Sequence, residues 1–164
     1  MLADVHPPSA SFTPIPIARD ELQLMAKNWR NVRQFYRRTA LTLIVGAINC
    51  GPVDGGCVIV AKAIQQVIGG DVMVLVRGDD AADHAVVEKD GLLWDYYRAT
   101  PPVRFIPRFN AEEHADTVGW RPIRAGDLTD TPDDPVLQAD LVAVFSLAFK
   151  AFLSEQALLR NAAR

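Results

Sequence analysis

The segment Cys57 to Ile68 limits the fold more than any other. Of its twelve residues only Lys62, Gln65 and Gln66 are polar, and at helical periodicity they share one face. A helix apolar on every other side is stable in water only inside a shell of other elements. Gly69-Gly70 stops it, because glycine takes the left-handed position after a helix without a Cβ penalty. The chain has 164 residues, 49% hydrophobic and 23% charged, enough for one domain with a real core.

The candidates for the shell follow from periodicity. From Asp20, a predicted N-cap, Leu22, Leu24, Met25, Trp29, Val32, Phe35 and Tyr36 recur at three and four, and a break is expected near Arg37-Arg38. Ala40 to Ile48 reads as a buried apolar helix or strand. Residues 49–56 form a breaker loop. Beyond the central helix, Val72–Val76, His84–Glu88 and Leu92–Tyr97 read as strands, and Val103–Ile106 as a further short one. Residues 107–134 read as irregular, with a short helix near Ala111–Thr117. Val136 to Arg160 reads as a long helix with the stripe Leu137, Leu141, Val144, Phe145, Ala148, Phe152 and Leu159. Helices segregated from a small antiparallel sheet make this an α+β chain. The expected organisation is an extended N-terminal arm over residues 1–18, packed through Phe12, Ile15 and Ile17, and one domain over residues 19–164.

Seventeen basic against 20 acidic residues leave a net charge of −3, which carries no footprint for nucleic acid and no polybasic membrane signal. The N-terminus lacks the basic start and apolar run of a secretory signal. No apolar stretch reaches about 20 residues; Leu141–Leu153 is shorter and contains Lys150. A cytoplasmic protein is expected, with export by a route that uses no cleaved signal left open. Two cysteines, Cys50 and Cys57, are too few for a disulfide scaffold.

Cys57 follows Gly55-Gly56 and opens the central helix, where free amides and the helix dipole favour a thiolate. Asp90-Gly91 between two strand patterns is a hairpin signal. A two-residue loop there pairs Lys89 with Leu92, Glu88 with Leu93, Val87 with Trp94 and Val86 with Asp95. His84, Val86 and Glu88 then share a face with Leu93, Asp95 and Tyr97, and His84 and Asp95 become diagonal neighbours at roughly 7–8 Å between backbones. A carboxylate there holds the imidazole tautomer and stabilises the imidazolium.

Cysteine opening a helix, then histidine and aspartate on successive strands, resembles the papain-like and transglutaminase-like cysteine hydrolase superfamily, in its small phage or bacterial form. The resemblance runs from Gly55-Gly56-Cys57 through Gly69-Gly70, His84-Ala85-Val86-Val87 and Asp90-Gly91 to Asp95, about residues 49–97. It implies Cys57 as nucleophile, His84 as general base and then acid, and Asp95 as the orienting residue. It also implies an oxyanion donor before the cysteine. No glutamine stands there, so Asn49 is the candidate, with the Cys57 amide as the second donor and with Gly56 and Tyr97 beside the substrate. The implied activity is a peptidase, deamidase or transglutaminase acting on a protein or peptide through a thioester. No cofactor and no metal are expected.

Competing readings stay open at this level. Cys57 is also an ordinary small core residue, and Asp95 an ordinary turn residue or a partner of Arg98. Cys50 is the rival nucleophile. A zinc site from Cys50, Cys57, His84 and Asp95, or a Cys50–Cys57 redox pair, lacks the usual spacing. His6 and His114 read as solvated. The apolar middle of the C-terminal helix packs the core or forms a homodimer seam. The second functional class is a non-catalytic interaction module on a papain-like scaffold.

Overall fold

A computed structural model describes residues 16–163. Phe12, Ile15 and His6, and with them most of the expected arm, lie outside the described residues. The elements are α1 (Arg19–Lys27), α2 (Trp29–Ile48), α3 (Cys57–Ile68), β1 (Asp71–Val76), β2 (Ala82–Lys89), β3 (Leu92–Trp94), β4 (Ala99–Thr100), α4 (Pro102–Glu113), β5 (Gly119–Pro122) and α5 (Pro135–Ala162). The five strands form one antiparallel sheet in the order β4-β3-β2-β1-β5. The class is α+β.

α3 is the helix its sequence demands. Nine of its residues are buried, and Lys62, Gln65 and Gln66 are the three that are not. α5 and one face of the sheet enclose it, α2 packs on α5, and Ala85, Val87 and Trp94 enter the same core. Gly69 ends it at φ +76°, and Gly70 follows at φ +90°. A Cβ on Gly70 would lie 2.3 Å from the Glu88 carbonyl, so the glycine is required by close approach as well as by φ. The opposite face of the sheet carries Met73, Leu75, Val86 and Leu93, and α4 covers them with Phe105 and Phe109. The alternation between the two faces is the period of two expected of strands.

The Asp90-Gly91 turn has positive φ at both residues, +53° and +75°, as a type I′ hairpin turn needs. It sets the expected pairs Lys89–Leu92, Glu88–Leu93 and Val87–Trp94. There the expected register stops. Asp95 leaves the strand, because its N–H bonds the Arg98 carbonyl and its side chain accepts from Tyr97 and Arg98 N–H. The strand is therefore Leu92–Trp94, not Leu92–Tyr97, and the chain turns back at once into β4.

Other expectations are corrected. The first helix breaks at Asn28, not near Arg37-Arg38, and its N-cap is Ala18 rather than Asp20. Ala40–Ile48 continues α2, and only Ala40 and Ile44 of that stretch are buried, with Leu41 and Val45 exposed. Val103–Ile106 is helical: Pro102 fits a first helical turn, and Phe105 and Phe109, four apart, form a helical apolar pair. That helix ends at His114 in a left-handed conformation, so no helix runs from Ala111 to Thr117. β5 lies within the stretch read as irregular; its residues show no apolar alternation, and it pairs at the sheet edge through β1. Leu159, placed on the buried stripe of α5, is exposed, while Phe149 is buried. By length and composition α5 is long and apolar enough to cross a membrane, and 44% of its most apolar stretch is buried within the fold.

Candidate active site

β3 ends opposite Val87, so β2 runs on past it with no strand beside residues 82–86 on that side. The side chains of Cys57, His84 and Asp95 meet at this place. Asp95 reaches His84 from the turn rather than from a strand: His84 Nε2 lies 3.3 Å from Asp95 Oδ2. The other carboxylate oxygen, Oδ1, accepts the backbone N–H of Tyr97 and of Arg98, each at 2.7 Å. The carboxylate is thus fixed by two short charge-assisted bonds before it meets the ring.

Cys57 is the first residue of α3. Its thiol lies beside the His84 ring and near the backbone amides of Ala85, on β2, and Val58, in the first helical turn, all of which favour its anion. With Nε2 held by Asp95, Nδ1 is the ring nitrogen left for the sulfur. That nitrogen is buried and meets no partner at good hydrogen-bond geometry in the resting arrangement. The order Asp95–His84–Cys57 is the order the resemblance implies.

The electrostatics follow from burial and pairing. Burial pushes the Cys57 thiol up, but the bond to His84, the charge of His84 and the Ala85 and Val58 amides outweigh it, so the thiol lies below its ordinary value. Burial pushes His84 down, but the bonds to Asp95 and Cys57 and their charges raise the ring to about 9. Each group favours the charged form of the other.

This pairing predicts a pH profile for stability. The raised His84 stabilises the fold fully below its ordinary 6.5, and that contribution is lost as pH rises through about 9. The lowered Cys57 stabilises fully above its ordinary 9.0 and is lost as pH falls through its folded value. The pair's contribution therefore declines as pH rises through about 9 and again as pH falls through the folded value of Cys57. Urea denaturation of the wild type against Cys57→Ala checks it: the variant loses the thiol share, and its stability relative to wild type falls as pH rises from the folded Cys57 value toward 9.0.

Two neighbours complete the site. Arg98, 3% exposed, has Nη1 3.6 Å from Asp95 Oδ2 and pairs through Nη2 with Glu112. Its guanidinium also lies over the rings of Phe105 and Phe109. Phe109 in turn stacks on the His84 ring at 4.7 Å between centroids. Arg98 was readable only as an alternative partner of Asp95; in the fold Asp95 serves His84, the turn and Arg98 together. Phe109 escaped because α4 read as a strand and a loop, although Phe105 and Phe109 behind Pro101-Pro102 carried a helical signal.

The secondary site residues fare differently. Asn49 is exposed and caps α2 in a left-handed conformation, its N–H bonded to the Val45 carbonyl. Gly56 gives its N–H to the Gly51 carbonyl at 3.0 Å, and a Cβ on it would lie 2.7 Å from that oxygen. Its space is filled by the chain's own loop rather than open to a substrate. Tyr97 turns toward α2, under the Arg33 guanidinium at 4.8 Å, and packs with Tyr96 instead of sharing a face with His84. Cys50 rests against Gly55, and it is Cys57 that acts on His84. Among the described residues no three His, Cys, Asp or Glu side chains converge as a metal-ligand set, so the four-residue zinc site does not form. His114 is exposed.

Cys57 and His84 are 3% and 2% exposed. Phe109 covers the ring, and Val53, from the loop before Cys57, packs into the same apolar cluster as Phe109. The loop is closed on itself by a bridge between Gly51 and Gly55. No family model, curated protein or solved structure matches this chain.

Proposed function

We propose that the chain is a cysteine-dependent hydrolase or acyl transferase of the papain-like or transglutaminase-like kind, acting on an amide or ester of a protein or peptide. One observation carries the reading: the buried array in which Asp95, fixed by two backbone amides, holds His84 Nε2 while Cys57 at a helix N-terminus engages the same ring. A structural histidine needs no thiol lowered beside it, and a structural cysteine needs no paired imidazole.

In the reaction the Cys57 thiolate adds to the carbonyl carbon, and the carbonyl pair moves to oxygen. The amides of the first turn of α3, Cys57 foremost, are the donors nearest the developing oxyanion. The intermediate collapses to a thioester as His84 gives its proton to the leaving amine or alcohol. Water or an amine then attacks, His84 takes its proton, and the thiolate leaves with the acyl group released. Opening of the loop over residues 49–56 must precede substrate entry, because Cys57 is covered at rest.

That same burial favours a second reading, an interaction module that keeps the array without turnover. Iodoacetamide separates the two. At about pH 6 the enzyme reading expects Cys57 to be alkylated faster than a free cysteine in solution, through a thiolate exposed by loop opening. Alkylation no faster than the free thiol rejects it and leaves the module.

A further inference from the structure

Five buried side-chain polar atoms of the described residues have no hydrogen-bond partner, and one of them, His84 Nδ1, belongs to the site above. The other four are Trp29 Nε1, Arg33 Nε, Arg98 Nη1 and Thr100 Oγ1, of which Arg98 Nη1 has the Asp95 carboxylate as an ion-pair partner at 3.6 Å. All four residues line a single cavity of about 450 Å³ between the start of α2 and the turn at Tyr97–Thr100. An unpaired buried donor is costly, and native folds keep few of them. The three without any polar partner, on Trp29, Arg33 and Thr100, belong to residues that line one cavity, and they point to a ligand that meets them. The indole and guanidinium groups only donate, and a hydroxyl can also donate, so the ligand must supply acceptors.

The charge around the cavity gives the same answer. Lys27, Arg30, Arg33, Arg98 and Arg108 line it, and no carboxylate does. Glu112, outside the lining, pairs with Arg98 and Arg108. Among the ion pairs of the described residues none involves Lys27, Arg30 or Arg33. The acids that act on Tyr97, at the cavity wall, are Glu113, Asp95 and Asp54. In a chain of net charge −3 this is a local concentration of positive charge, not a general bias.

We infer that this cavity binds a small phosphate-bearing anion. Its volume lies within the usual range of small-molecule sites, roughly 300–1,000 Å³. A doubly charged tetrahedral group with several acceptor oxygens matches several separate donors and an excess of cations better than a singly charged planar carboxylate does. The guanidinium of Arg98 joins the cavity to the array, since its Nη1 is 3.6 Å from Asp95 Oδ2. Binding stands apart from turnover at Cys57 and is measured without it.

The test is calorimetric titration of the full chain with inorganic phosphate, pyrophosphate, a simple phosphomonoester and succinate, at constant ionic strength set with chloride. Saturable binding of a phosphate compound, weakened about tenfold or more in Lys27→Gln/Arg30→Gln, is expected. Both side chains are exposed, so the variant folds as wild type does. Lys62→Gln, on α3 and away from the cavity lining, should bind as wild type does. The phosphate arms say which source fits: inorganic phosphate alone means a free anion, and a tighter phosphomonoester means a phosphorylated metabolite. No saturable binding of any phosphate compound, equal binding by the double variant, or tighter binding of succinate overturns the proposal.

Discussion

His84→Ala is expected to slow alkylation of Cys57 at about pH 6 by roughly two orders of magnitude. In the wild type the His84 hydrogen bond and charge hold the thiol below its ordinary value against burial, which acts the other way. Removing the ring takes away both, and what remains of the environment disfavours the anion. An ordinary thiol holds well under about 1% thiolate at that pH, which sets the upper limit of the loss. The variant also opens space beside the sulfur, which would speed access, so the measurement is made across pH. Near pH 10 both proteins are ionised and the ratio should collapse. A ratio that stays large at high pH means the ring controls access and not ionisation. A ratio near one at pH 6 means the pairing is absent in solution.

Asp95→Ala is expected to lower unfolding stability by about 3–5 kcal/mol, the usual cost of stranding a buried charge. The carboxylate is 2% exposed and serves three partners: the His84 ring, the Arg98 guanidinium, and the two backbone amides of its turn. Its removal leaves two buried cationic groups and two unpaired N–H donors. Arg108→Ala provides the comparison. Its ion pair with Glu112 is exposed, so its loss should stay under about 1 kcal/mol. Urea denaturation at neutral pH compares the three proteins. An Asp95→Ala midpoint no lower than that of Arg108→Ala would show that the Asp95 carboxylate contributes little to folding.

Much of this was legible from residues whose effects are local. Gly69-Gly70 stops α3 because its backbone angles are closed to other residues at low cost, and Asp90-Gly91 makes its hairpin for the same reason. The polar face of Lys62, Gln65 and Gln66 foretold which side of α3 lies away from the core. The nearness of His84 and Asp95 was reached through an ideal hairpin continued one pair too far. It came out right because the turn at Asp95 delivers the carboxylate to the same place the strand would have. Tyr97 shows the other outcome: past the turn, strand alternation no longer governs, and its ring goes to Arg33.

Local periodicity and turn chemistry were enough for the α3 helix with its cysteine at the start, the type I′ hairpin, and the long apolar α5. Only contacts in the folded chain set where β3 stops, that Arg98 is buried between Asp95 and Glu112, that Phe109 lies on His84, and that Cys57 is buried. Those features rest on contacts between segments far apart in the chain. Their energy comes from burial and charge pairing that exist only once α4 and the sheet have met, and no local period encodes that meeting.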